Sequence, residues 1–275
     1  MIESAYNAAP ILKYPGAKWR LAPWILSHMP PHGSYVEPYF GSGAVFFLKT
    51  PARIETINDV DSEVVTFFRV CRDQPDELAE ALRLTPWARD ERDAAYSEPA
   101  GDELEQARRF AVKCCQTFGA SRNKTQGWRN STGKGNNGGP DNPKLWARLP
   151  QSVTEASRRL LEAQIENRPA LEVIERYNGV GVLIYADPPY MKETRSMHGD
   201  AFVHEMTDAD HEELIKALLR HAGPVMLSGY DSPFYNDRLR GWRKETVAAQ
   251  ANCGARRTEC LWINPAGAGK GQLYM

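Results

Sequence analysis

No apolar run in the sequence approaches the roughly 20 residues that a membrane-spanning helix needs. The opening MIESAYNAAPILKYPG also lacks the basic and then apolar layout of a signal peptide, so a cytoplasmic protein without membrane contact is expected. Cysteine is sparse and unpatterned. Its five positions (Cys71, Cys114, Cys115, Cys253, Cys260) contain no C-x-x-C pair and point to reduced thiols rather than to a disulfide framework or a zinc site. The net charge is only -1, so nothing pulls the whole chain toward a polyanion, and any nucleic-acid contact has to come from local basic patches. Metal-ligand spacing is missing too. His204-Glu205 and His211-Glu212 do not form H-E-x-x-H, and no metal is expected.

What is present is enough chain, at 275 residues, for one large domain or one domain with an insertion. Apolar runs that suit strands are SYVEPY (34–39), ARIETIN (52–58), VGVLIYA (180–186), PVMLSGY (224–230) and ECLWIN (259–264). Helix-like segments alternate with them. DSEVVTFFRVCRD follows the second run, and TDADHEELIKALLRHAG carries a capping-box pattern at Thr207 and Asp210 before Gly223. This alternation predicts an α/β fold with a mostly parallel sheet covered by helices. Residues 72–165 break the rhythm: they are rich in helix formers and charge, and they contain the polar stretch GWRNSTGKGNNGGPDNP, expected to be a loop within an inserted helical subdomain.

VEPYFGSGAVFF (36–47) reads as a strand entering a tight Gly41-Ser42-Gly43 turn, where glycine lets a backbone approach a ligand closely. Asp59 follows the next strand, where an acid suits a ribose with two free hydroxyls. A dinucleotide would require a small residue where Phe46 stands, and a P-loop would require G-K-[ST] after Gly43. S-adenosylmethionine, a nucleoside without phosphate, survives both exclusions, with an ordinary turn as the alternative. Upstream, Tyr14, Gly16 and Lys18 crowd a Pro-Gly turn. Either Lys18 is simply solvated, or its ammonium and a helix start receive an amino-acid carboxylate.

IYADPPY (184–190) ends an apolar run with Asp187, Pro188, Pro189 and Tyr190. The prolines fix φ and remove two N–H donors, leaving a carboxylate, the Pro188 carbonyl and an aromatic ring on a stiff backbone. An exocyclic amino group has two N–H donors for those two acceptors, and the Tyr190 ring could stack on its base. A weak base suffices, because attack by the neutral amine yields an acidic ammonium. The alternative is a Pro-Pro loop with a capping aspartate.

Taken together, these motifs resemble the Dam-type (D12 class, alpha group) DNA adenine-N6 methyltransferases. KYPGAK is similar to that family's amino-terminal cofactor motif, YVEPYFGSGAVFF to its glycine motif, INDVDSE to its ribose-acid motif, IYADPPY to its catalytic motif and MLSGYDSPFY to its late-strand motif. The resemblance implies a Rossmann-like methyltransferase sheet flanked by helices, formed by 1–71 and 166–275, with 72–165 as a mainly helical target-recognition subdomain. It implies S-adenosylmethionine contacts from Tyr14, Gly16, Lys18, Glu37, Pro38, Phe40, Gly41, Gly43 and Asp59, with Asp187 touching both cofactor and adenine. Two departures stand out: Phe118-Gly119 lacks the asparagine of the family's F-N-G-x-x-R stretch, and Pro169-Ala170 replaces an Asp-Phe pair.

Adenine N6 lies inside a stacked duplex, so the double-stranded DNA partner has to yield the nucleotide by base flipping. Arg122, Lys124, Trp128, Arg129 and Lys134 stand among glycines with no acid between 121 and 140, a composition suited to phosphate contact and base readout or to a solvated loop. Arg256 and Arg257 could touch phosphate or solvent. MKETRSMHGDAFVHEMTD (191–208) could close over a flipped base. Rival readings keep the chemistry on cytosine N4 or RNA adenine, or discard it for a non-catalytic regulator that binds nucleic acid. A cognate restriction enzyme and self-association are left open by the sequence.

Overall fold

The computed structural model describes residues 10–97, 101–118, 127–130, 142–194, 202–250 and 256–268. In chain order the elements are α1 (Ala22–Ser27), β1 (Ser34–Glu37), α2 (Ala44–Leu48), β2 (Ile54–Asn58), α3 (Ser62–Asp73), α4 (Pro75–Leu84), α5 (Arg89–Ser97), α6 (Glu103–Gln116), α7 (Asn142–Trp146), α8 (Leu149–Leu160), β3 (Ala163–Glu166), α9 (Ala170–Arg176), β4 (Val182–Ala186), α10 (Asp208–Arg220), β5 (Val225–Tyr230), α11 (Pro233–Arg238), β6 (Arg243–Gln250), β7 (Arg256–Ile263) and α12 (Pro265–Ala268).

The strands form one seven-stranded sheet in the order β3-β2-β1-β4-β5-β7-β6. β1 to β5 run parallel, and β7 inserts antiparallel between β5 and β6. This is a Rossmann-like α/β architecture. Five strands fall on the predicted apolar runs. β3 and β6 do not, and β3 opens at Ala163, inside a stretch that reads as helical in sequence.

Two compact units divide the chain. One holds the sheet and comprises Arg20–Phe40, Lys49–Val60 and Ala163–Met275; the other comprises Met1–Trp19, Gly41–Leu48 and Asp61–Glu162. In the sheet unit, Val36, Ile184, Ala186, Val225 and Leu227 pack with Val173 and Ile174 of α9, with Leu214, Ile215 and Leu218 of α10, and with Tyr235 of α11. α10 begins at the expected capping box: the Thr207 hydroxyl accepts from the Asp210 N–H at 3.3 Å, and the Asp210 carboxylate accepts from the Thr207 N–H at 2.8 Å.

A polar group of side chains interrupts the apolar sheet core. Tyr35 and Glu55 are register partners on β1 and β2. Lys49 donates to Glu55, and its ammonium lies 4.5 Å from the centre of the Tyr35 ring. All three are at most 4% exposed, so the ion pair is fully desolvated. Such a pair holds only while each charge keeps its partner.

The helical unit is built on α3 packed against α6 and α8, with α4 against α8. Aromatic rings run through it in sequence. Trp19 stacks on Phe47, which meets Phe68; Phe68 meets Phe67, Phe67 meets Phe110, and Phe110 meets Tyr14. The apolar α2 segment and the KYPGAKW stretch are thereby tied into the helical core.

Lys49→Met removes one member of the buried ion pair and leaves the Glu55 carboxylate without its cation. The expected loss of stability is about 3–5 kcal/mol by urea denaturation. Adding Glu55→Leu removes the stranded charge, and the double variant is expected to recover much of the loss; equal stability of wild type and Lys49→Met would overturn this account.

Candidate active site

An open α/β sheet binds ligands outside the carboxyl ends of its strands, at the point where the strand order reverses. Here the reversal falls between β1 and β4. β1 ends at Glu37 and β4 at Ala186, so Glu37 and Asp187 arrive together at that edge.

Asp187 is held by its neighbour strand. The Ser228 hydroxyl on β5 donates to Asp187 Oδ1 at 2.8 Å, and the Tyr185 hydroxyl lies 3.1 Å from Ser228 Oγ. A serine hydroxyl has one proton to give, so with that proton on Asp187 the Tyr185 phenol is the donor to Ser228. Burial, and then the charge of Asp187, push the Tyr185 phenol well above its ordinary range and keep its proton in place.

The ladder stops at Ala186, where Pro188 and Pro189 follow. Among the described residues no donor reaches the Pro188 carbonyl. Tyr190 donates to Glu259 Oε2 at 2.8 Å, and its ring meets Tyr230 edge-on with centroids 4.7 Å apart.

Glu37 is buried and accepts from the Tyr35 hydroxyl at 2.7 Å. Pro38, Phe40 and Asp59 are placed by Asn58 at the end of β2. Its Nδ2 donates to the carbonyls of Pro38 and Arg168 at 2.9 and 3.0 Å, its Oδ1 accepts from the Arg168 N–H at 2.9 Å, and its carbonyl accepts from the Phe40 N–H at 2.9 Å. Asp59, the next residue, is half-buried, and its backbone carbonyl accepts from Asn167 Nδ2 at 2.7 Å. Pro169 and Ala170, which depart from the family's pair, cap and open α9.

In the helical unit, Tyr14 to Ala17 form a turn closed by a 3.2 Å bond from the Ala17 N–H to the Tyr14 carbonyl. Pro15 precedes Gly16, whose φ of 73° suits the third position of a type II turn. Lys18 folds back and donates to the Gly16 carbonyl at 2.8 Å. Gly41 and Gly43 take φ of 51° and 66°, and a Cβ on Gly41 would come within 3.2 Å of the Tyr14 ring. The Pro-Gly turn and the glycine turn thus touch, although 27 residues separate Tyr14 from Gly41.

Arg122, Lys124 and Lys134 lie outside the described residues, as do the Arg256 side chain and residues 195–201 of the polar loop before α10. Trp128 pairs with Thr117 in an isolated antiparallel bridge, and the Arg89 guanidinium lies 5.3 Å from its ring. Arg129 is half-buried, its N–H bonded to the Gln116 carbonyl and its carbonyl to Trp87 Nε1; burial lowers its pKa, opposed by the nearby Cys115 and Cys114. Arg257 lies over the Tyr230 ring at 5.9 Å.

Of the partners that orient these groups, Tyr35, Asn58, Tyr185 and Ser228 fall inside the quoted motifs, which give them no role, and Glu259 falls outside them. Glu259 alone carried a signal, as a single acid opening the apolar run ECLWIN.

The geometry can hold a carboxylate, an adjacent carbonyl and an aromatic ring at one sheet edge. A relative from Lactococcus lactis subsp. cremoris, the Type II methyltransferase M1.LlaDCHI, is 26% identical over 271 residues, covering 91% of each chain. A solved structure, the precorrin 8w decarboxylase of Methanobacterium thermoautotrophicum, aligns over 94% of this chain and 96% of its own, at 9% identity and a TM-score of 0.39. The family model for D12 class N6 adenine-specific DNA methyltransferases matches residues 14–249, which takes in the Pro-Gly turn, the glycine turn, Asp59 and the Asp-Pro-Pro-Tyr hook. The chain belongs to the D12 class of N6 adenine-specific DNA methyltransferases, enzymes that methylate adenine in DNA from S-adenosylmethionine.

Proposed function

We propose that this methyltransferase acts on duplex DNA at a specific short sequence, with the target adenine rotated out of the helix and its amino group gripped by Asp187 and Pro188. The observation that carries the reading is the Asp187 carboxylate, fixed by Ser228 at the strand-order reversal and followed at once by a carbonyl that no described donor occupies.

Asp187 accepts one N6 hydrogen and the Pro188 carbonyl accepts the other. Held in this way, the amino nitrogen is drawn toward tetrahedral geometry and its lone pair is directed away from the ring. Pro189 stiffens the hook, and Tyr190 stacks on the flipped base. Because the attacking amine is neutral, the proton leaves after the N–C bond has formed, and Asp187 need act only as an acceptor.

S-adenosylmethionine, when bound, supplies an electrophilic methyl group. The residues fit such a cofactor. Asp59 presents a carboxylate after β2 suited to two ribose hydroxyls, and the positive φ of Gly41 and Gly43 belongs to a turn that lets backbone approach a ligand closely. Lys18 suits the amino-acid carboxylate. Tyr14, Gly16, Glu37, Pro38 and Phe40 complete the proposed set, and Asp187 borders both ligands.

Target recognition is assigned to 72–165, with Arg122, Lys124, Trp128, Arg129 and Lys134 as DNA contacts joined by Arg256 and Arg257. The Type II designation of the Lactococcus relative supports a modification role beside a cognate restriction enzyme.

Transfer of a tritiated methyl group to unmethylated DNA is expected to fall about 100- to 1,000-fold in Asp187→Ala, the scale of losing a preorganised electrostatic contact. Ser228→Ala, which removes one hydrogen bond to the carboxylate, should lower kcat about tenfold, as for a lost hydrogen bond to a charged group. Undiminished activity in Asp187→Ala would sink the mechanism.

Asp59→Ala should weaken S-adenosylmethionine binding in equilibrium dialysis by about tenfold or more, the cost of charged hydrogen bonds to the ribose. Unchanged affinity would remove Asp59 from the cofactor set.

Expressed in a methylation-free bacterial host, the enzyme should leave N6-methyladenine at one recurrent short sequence in modification-sensitive sequencing. Methylation scattered without a common sequence would refute site specificity.

A further inference from the structure

Glu259 lies on β7, the antiparallel strand beside β5, and takes no part in the catalytic motif. It is the register partner of Tyr230, so the two side chains share one face of the sheet. It is buried, at 7% exposure, and accepts the Tyr190 phenol proton at 2.8 Å. The Tyr190 ring is thereby fixed at two points. Its para end is tied to Glu259, and Tyr230 packs against it at 4.7 Å between centroids with an interplanar angle of 75°. Arg257, two residues before Glu259 on β7, lies over the Tyr230 ring at 5.9 Å.

From this arrangement we infer that Glu259 is a positioning residue for the methyl transfer: it locks the Tyr190 ring in one orientation before DNA arrives, so that a flipped purine meets a preformed stacking platform. The inference rests on the reading that Tyr190 stacks on the target base. A tyrosine side chain turns about two torsions, and a platform free to rotate would have to be ordered at each turnover. Burial, followed by the charges of Asp187 and Glu259, raises the phenol well above its usual range, so the Tyr190 hydroxyl remains a donor throughout the neutral range. The carboxylate works here through the acceptor it offers, with no proton changing hands.

The test is steady-state methyl transfer to unmethylated genomic DNA with full-length protein. Tyr190→Ala tests the underlying reading by itself. Tyr190→Phe and Glu259→Met each delete the hydrogen bond, and each should lower kcat about 10- to 100-fold, the scale of a misplaced contact, with KM for S-adenosylmethionine unchanged. The two together should be no worse than either alone, as expected of groups acting through one contact. Glu259→Gln keeps an acceptor and should restore most of kcat. Wild-type kcat in Glu259→Met or Tyr190→Phe, with Tyr190→Ala impaired, overturns the positioning role and leaves the stacking reading standing. A Gln variant as impaired as Met also overturns it. Full activity in Tyr190→Ala would instead remove the stacking reading itself. Should Glu259→Met fail to fold, Tyr190→Phe decides, since it removes the same bond and leaves the buried acid in place.

Discussion

A mostly parallel sheet whose order reverses at its middle constrains everything at the candidate site. β1 and β4 are flanked on both sides and buried beyond their first residues, so a charged group on either strand meets a ligand only where the strand ends. Two carboxylates stand there, Glu37 after three strand residues and Asp187 directly after β4. Each is met by a phenol rooted in the strand itself. Tyr35, two residues before Glu37 and on the same face, donates to it directly, and Tyr185 reaches Asp187 through Ser228. Burial holds both phenols well above their ordinary range, so these donors stay protonated wherever the protein is folded near neutrality. The acids are oriented from within the sheet, and the arrangement needs no mobile loop to set it.

The same constraint decides which strands the sequence discloses. The central strands, buried on both faces, appear as apolar runs. β3 and β6 lie at the two ends of the sheet order, and their sequences, AQIE and RKETVAAQ, are mostly polar and half-exposed. An edge strand is under no pressure to be apolar, and charges there discourage pairing with another chain. Its signal is therefore weak in sequence for a physical reason, and β3 reads as the tail of a helical stretch. α10, by contrast, announced its start, because a capping box is a local pattern within four residues.

The candidate site divides in a similar way. Asp187, the prolines and Tyr190 are adjacent in sequence and legible as a unit. The residues that aim them are not: Ser228 is 41 positions from Asp187, and Glu259 is 69 from Tyr190. Serine is too common to stand out, and Asn58 reads only as the last residue of a strand although its side chain bonds to Pro38 and Arg168 from a fully buried position. Only pairing in three dimensions gives these residues their meaning. Glu259 is the partial exception, since a lone acid in an apolar strand has to find a donor when buried.

Phe46 explains why the glycine turn is not a dinucleotide fingerprint. That fingerprint keeps its third position small so that helix and strand can close on a pyrophosphate. Here the ring is fully buried, edge-on to Phe47 at 5.1 Å, with the Arg159 guanidinium 3.9 Å from its centre. Its volume is part of the core of the helical unit, and a small residue there would leave a cavity beneath the turn. The turn keeps two glycines at positive φ and lacks the small third position that a diphosphate would require.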